Sequence, residues 1–417
     1  MSIRSLVNAV VAIGIVGLAV PSISLAQAGC TGGGKISKQI AKPMKAALDA
    51  QNAKKWQEVL ARTREAEQVP GAKSQFDQYY MSEFRGYAYH NLRQPAEAAR
   101  ELENALNNPC MPEGNKLERY KSLVGLYASL KNHTKVIEYG NRALKVARDP
   151  DMQVAVAQAY YQTGNNKEAA RLMKELLGSL EQSGRVPKEQ QLLLIVAACQ
   201  KAGDNTCVSQ VFEKLVNYYP KPEYWQQLIP ALKAAVTTDL QTLNVMRLAL
   251  HAKVLKKPDD YKEYAQLALE EKLAGEAQAV LEQGFATKVF VTERDVSVNT
   301  RLLSAAKAEA AKDKAAMPAN EAAAKSAATG DQLVKVGAQY LGFGEAAKAL
   351  EPIQKGITKG SLAKGDPNEA QRVDEASLLL GIAYLRNNNK PEAAKAFKNA
   401  KRDPTMVRIA KLWLLNT

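Results

Sequence analysis

Leu380-Gly381-Ile382-Ala383-Tyr384, followed after Asn387-Asn388-Asn389 by Pro391-Glu392-Ala393-Ala394-Lys395-Ala396-Phe397-Lys398-Asn399-Ala400, decides how this chain is read. Gly381, Tyr384, Ala393, Phe397 and Ala400 stand at steps of three, nine, four and three. The same steps pick out Gly86, Tyr89, Ala98, Leu102 and Ala105, and then Ala157, Tyr160, Ala169, Met173 and Leu176. Weaker copies start at Ala47, Val124, Val196, Ala265 and Val334. A small residue three before an aromatic lets two helices approach while the ring fills the gap beside them. The nine-residue step crosses a turn of Gly or Asn, as at Gly164-Asn165-Asn166 and Gly203-Asp204-Asn205. The last three positions form a seam at i, i+4, i+7 of a second helix. Each copy is therefore an antiparallel helix hairpin whose apolar face needs the next hairpin to cover it.

This pattern resembles the tetratricopeptide repeat over most of residues 40–415. Successive starts lie 39, 38, 33 and 39 residues apart, against a family norm of about 34, so several inter-repeat loops are extended. The resemblance implies an all-α protein, an α-solenoid of about nine hairpins wound as a right-handed superhelix. It also implies a concave groove and a role in holding other proteins.

The first 28 residues read as an export signal, with Arg4 ahead of an apolar run from Leu6 to Val20 and a cleavage site at Ala26-Gln27-Ala28. The run is shorter than the roughly 20 residues that span a bilayer, and no later segment is apolar enough to span. The expected location is the periplasm. Cys30 does not fit a lipid-bearing cysteine, because Gln27 stands where that motif places Leu.

Four cysteines suit an oxidising compartment. Cys199 and Cys207 flank one hairpin turn, where two backbones come close enough for a disulfide. Cys30 with Cys110, in the loop 107–115, is a second candidate pair that would tie the start of the exported chain to the array. Without a CxxC pair, and with His90, His133 and His251 scattered, no metal site is expected.

The domain reading is 1–28 signal, 29–40 a Gly-rich flexible leader, 41–290 the main array, 291–330 an Ala/Lys/Glu-rich spacer, and 331–417 two further hairpins with a capping helix. The spacer is expected as a helix pair broken at Met317-Pro318, with Thr292 and Asp295 capping its start and Glu321 pairing with Lys325. Met406 to Leu415 reads as the lid, with Trp413 against the last repeat. Asp259-Asp260 and Asp374-Glu375 are read as carboxylates at helix starts.

Gly29-Cys30-Thr31-Gly32-Gly33-Gly34-Lys35 approaches a phosphate-binding loop, but Ile36 follows the lysine and no strand precedes it. Without Gly-x-Ser-x-Gly, His-Glu-x-x-His or enough histidines, no catalytic set and no cofactor are expected. The net charge of +14 is spread thinly, with no basic run or interleaved aromatics of the kind nucleic-acid binding needs. An acidic or otherwise anionic partner remains compatible with it.

One stripe is singled out. Tyr80, Phe84, Tyr87 and Asn91 follow helical spacing, with His90 beside them; Ala155, Gln158 and Gln162, with Tyr161 adjacent, take the equivalent place two hairpins on. By the family resemblance this face lines the groove. Rings cover apolar side chains and amides bond a backbone, so the face suits an extended peptide. The expected function is a non-enzymatic scaffold for a protein or peptide partner. The alternative is an accessory subunit of an envelope assembly, working through its outer surface and the spacer.

Overall fold

The computed structural model describes residues 29–415. Among them stand twenty α-helices and two short 3-10 turns, with no strand. The helices are α1 (Ala41–Asn52), α2 (Trp56–Gln68), α3 (Gln75–Asn91), α4 (Pro95–Leu106), α5 (Lys116–Ser129), α6 (His133–Val146), α7 (Pro150–Gln162), α8 (Asn166–Gln182), α9 (Glu189–Lys201) and α10 (Asn205–Tyr218). They continue with α11 (Pro222–Ala235), α12 (Asp239–His251), α13 (Pro258–Glu270), α14 (Ala274–Ala286), α15 (Glu293–Ser326), α16 (Asp331–Gly342), α17 (Ala346–Lys359), α18 (Glu369–Arg386), α19 (Lys390–Lys398) and α20 (Pro404–Leu414). Contacts divide the chain into two compact units between Val208 and Ser209.

In the first unit the helices from α1 to α9 pack each on its successor, as an α-solenoid requires. The seam explains why. A Cβ on Gly86 of α3 would lie 2.4 Å from Leu102 Cδ2 of α4, so only glycine permits this approach. Ala47, Ala50, Val59, Thr63 and Ala66 are all buried at the corresponding places of the first hairpin.

The second unit repeats the device. Gly381 meets Phe397 at 2.4 Å and Gly337 meets Ile353 at 2.3 Å, for a Cβ placed on each glycine. The offset matches that of Gly86 and Leu102. This corrects the copy expected to start at Val334: its frame is Gly337, Tyr340, Ala349, Ile353 and Gly356. Val334 is half-buried, whereas Gly337, Ala349 and Ile353 are buried.

The hairpin turns hold a second surprise. Besides Gly and Asn, basic residues take the left-handed position just past a helix end: Lys54, Arg93, Lys131, Lys253, Lys272 and Lys288, with φ from 55° to 58°. That conformation costs a side-chain-bearing residue roughly 1–2 kcal/mol. A cation beside the negative end of a helix recovers about 0.3–1 kcal/mol of it.

Residues 293–326 form one unbroken helix with Pro318 inside it, not a broken pair. Proline removes one backbone bond there. The burial of Met317 and Ala324 with Leu333 and Val336 offsets the loss. Because α15 packs on α13, α14 and α16, it is part of the second unit's body rather than a spacer. Its expected details hold: Thr292 Oγ1 accepts from Asp295 N–H at 3.0 Å, and Lys325 sits 2.9 Å from Glu321.

The capping helix α20 lays Trp413 on Phe397, ring centroids 5.8 Å apart. It also returns to α12, where Gln241 donates to Asp403 at 3.2 Å. Arg408 forms an ion pair with Glu213.

Candidate functional site

The leader is anchored rather than free. Cys30 and Cys110 lie at disulfide distance, Cα atoms 4.8 Å apart. Thr31 N–H donates to Gln75 Oε1, and Gln75 N–H donates back to Thr31 Oγ1, both at 3.0 Å. Ser37 donates its N–H and its hydroxyl to Asp77 at 2.9 and 2.6 Å. Asp77 and Ser74 also form the capping box of α3. Burial pushes the Asp77 carboxyl up, but the bonds from Ser37 and Ser74 prevail and hold it below the usual range. The glycine-rich segment is thus docked on the start of α3. A Cβ at Gly32 would fall 2.6 Å from Ser74 Oγ.

On α3 the expected stripe divides. Phe84 is fully buried in the core cluster of the first hairpins, so its assignment to a groove is corrected: it packs inward with Val59 and Met81 and cannot meet a partner. Tyr80 is half-buried, held between Phe76 and Phe84 at centroid distances of 5.8 and 4.8 Å. Tyr87 leans edge-on against Trp56 at 5.4 Å. Asn91 is exposed, and its amide donates to the Tyr87 carbonyl at 2.8 Å. His90 is half-buried, and burial lowers its pKa.

On α7, Ala155 is buried, Gln158 and Tyr161 are half-buried, and Gln162 is exposed. Lys201 Nζ rests 4.1 Å from the Tyr161 ring centroid, a cation–π contact. Lys121 is engaged with Asp149 at 3.2 Å and with Glu118 at 3.6 Å. The structure therefore gathers Tyr87, His90 and Asn91 at the end of α3, and Tyr161 and Gln162, with Lys201, at the end of α7. Glu83 lies on the same α3 stripe, between Tyr80 and Tyr87. It pairs with Arg119 of α5, both buried. Burial raises the Glu83 pKa, and Arg119 opposes the rise.

Cys199 and Cys207 lie at disulfide distance across the α9–α10 turn, Cα atoms 6.0 Å apart. With Asp204 they are the one His/Cys/Asp/Glu cluster of metal-site dimensions among the described residues. Sulfurs joined to each other offer no thiolate to an ion.

The second unit contains a polar hub that spacing did not disclose. Arg247 of α12 is buried and bonds Glu276 of α14 through two nitrogens, each at 2.8 Å. It also bonds Glu375 of α18 at 2.8 Å. The Tyr264 hydroxyl donates to Glu276 at 2.7 Å. Burial pushes the Glu276 carboxyl up, but Arg247 and Tyr264 bring it below its usual value. Asp374 accepts backbone N–H groups from Lys401, Arg402 and Asp403 at 2.7 to 2.9 Å. The reading of Asp374-Glu375 as a helix start is thereby corrected: both lie within α18 and are buried. Asp259 and Asp260 do occupy the first turn of α13.

No known family profile matches the chain, and no curated protein matches it. Similar solved structures include a tetratricopeptide repeat protein from Parabacteroides merdae, 12% identical, covering 91% of this chain and 100% of that one, TM-score 0.31. Naa15/Naa10 bound to HypK-THB is 15% identical over 89% of this chain and 60% of that one, TM-score 0.30. The APC/C hetero-tetramer Cut9-Hcn1 is 13% identical over 87% of each chain, TM-score 0.24. Superpositions this low carry no argument about function. The helix-hairpin architecture rests on the seam packing described above, which is the packing that the tetratricopeptide resemblance implies.

Proposed function

We propose that this chain is an exported, periplasmic scaffold without enzymatic activity, and that it holds a protein or peptide partner on α3 and α7 of its first unit. Tyr80, Tyr87, His90, Asn91, Gln158, Tyr161 and Gln162 form the contact face. One observation carries the reading. The Tyr87 and Tyr161 hydroxyls and the Gln158 and Gln162 amides make no hydrogen bond among the described residues, while the Tyr87 and Tyr161 rings are held against Trp56 and Lys201. Pre-placed rings with unspent polar tips supply contact area at low entropic cost. Lys201 over Tyr161 favours a partner with an acidic group there. Export rests on the sequence features of residues 1–28, which lie outside the described residues, and on two cysteine pairs at disulfide distance. The test compares Tyr87→Ala, Tyr161→Ala and Gly86→Leu for partner recovery from an envelope extract and for melting temperature. Loss of the partner with intact folding in the tyrosine variants supports the reading. Unfolding as severe as that of Gly86→Leu refutes it.

A second reading has its own observation. Val296 and Val298 stand exposed on α15, which favours an accessory subunit docking through that outer surface.

A further inference from the structure

The second unit carries an open cleft of about 670 Å³, walled by the end of α12, the start of α13 and the end of α14. Its size falls in the range of small-ligand sites. Leu255 and Tyr261, both buried, and the half-buried Val289 make an apolar floor. Lys253, Lys256 and Lys288 stand exposed on its rim, and among the described residues none has a carboxylate in ion-pair reach and no Asp or Glu lines the cavity. At the mouth is Val291, 79% exposed, the most exposed large apolar side chain of the described chain.

The lysines have a competing structural role, because α12 and α14 both end here and helix ends are negative. Each end carries roughly half a charge, about one in all for two helices. Several of those carbonyls are already satisfied: Lys253 and Val254 N–H groups bond Leu250 and Ala249, and Lys288 and Val289 N–H groups bond Phe285 and Gly284. Three ammonium groups therefore exceed what the helix ends neutralise by about two charges. An apolar floor under a cationic rim without ion pairs among the described residues matches one ligand chemistry. We propose that this cavity binds an amphipathic anion, its carboxylate or phosphate head on the lysines and its apolar body against Leu255, Tyr261 and Val289. The site is separate from the partner face of the first unit and does not depend on it.

Decanoate below its micelle concentration is the probe, with decanol as the uncharged control, titrated by calorimetry into the full chain. Lys256→Glu combined with Lys288→Asn tests the rim. Lys42→Glu with Lys45→Asn, both on exposed sites of α1, makes the same charge change elsewhere. Decanoate should bind one to one. The rim variant and the decanol control should each be weaker by at least about tenfold, as loss of charge-assisted bonds implies. The α1 variant should bind as the parent does. Absence of decanoate binding, equal binding of decanol, or equal weakening by the α1 variant would overturn the proposal. Vesicles of phosphatidylglycerol against phosphatidylcholine then separate the sources. Vesicle binding displaced by decanoate assigns the ligand to a bilayer lipid, and decanoate binding alone assigns it to a free carboxylate.

Discussion

Arg247 and Glu375, 128 positions apart in sequence, meet at 2.8 Å inside the second unit. Arg247 also holds Glu276, so one guanidinium joins α12, α14 and α18. Removing one member of a buried ion pair leaves an uncompensated charge, at a cost of about 3–5 kcal/mol. Arg247→Ala should therefore lower the denaturant midpoint far more than Arg62→Ala, whose pairs with Glu58 and Glu65 are exposed and screened by solvent. Equal midpoints for the two variants would remove the hub from the account.

The register of the hairpin α16–α17 is open to a direct check. Gly337→Leu forces a side chain against Ile353 and should destabilise by about 1–3 kcal/mol or more. Val334→Ala, at a half-buried place, should do less. The reverse order would restore the frame starting at Val334.

Acid should release the leader. The folded pKa of Asp77 lies below its unfolded value. Its contribution is therefore fully present above the unfolded value of about 3.9 and is lost as pH falls through the folded one. Asp77→Asn should flatten the acid limb of the stability profile and leave a loss at neutral pH. An unchanged acid limb in Asp77→Asn would contradict the role given to Ser37 and Ser74.

The two cysteine pairs should differ in effect. Cys30 and Cys110 are separated by 80 positions and Cys199 and Cys207 by 8. On loop-closure entropy the first is worth about 4.5 kcal/mol and the second about 2–3 kcal/mol. Cys110→Ser should lower the melting temperature more than Cys207→Ser, and peptide mapping without reductant should show both links. Free thiols at either pair in protein from the envelope would refute that link.

Much of this fold was legible because the seam repeats. Gly86 and Leu102, or Gly381 and Phe397, announce a close approach through residue size alone, and size recurs at fixed steps. The frame at Gly337 is not fixed by spacing, because Ala, Val and Gly are all small enough to begin a copy, and only the contact with Ile353 selects one. The Arg247 hub was invisible for a different reason. Its partners lie on α14 and α18, and a charged residue within a helix pattern reads as solvated until distant helices enclose it. Phe84 misled through spacing: four residues from Tyr80 on a helix is the same side, yet the boundary between core and solvent runs between them. At Pro318 a local breaker gave way to packing, since Met317 and Ala324 are buried on either side of it.

The proposed partner face lies on α3 and α7 of the first unit. Site-specific photocrosslinking in the envelope tests it most directly, with a crosslinking residue placed in turn at Tyr87, Asn91 and Gln162, at Arg64 on the exposed side of α2, and at Val298 on α15. The account predicts one adduct of common mass from Tyr87, Asn91 and Gln162, and none from Arg64 or Val298. Adducts confined to Val298, with none from the α3 and α7 positions, would contradict it and move the working surface to α15.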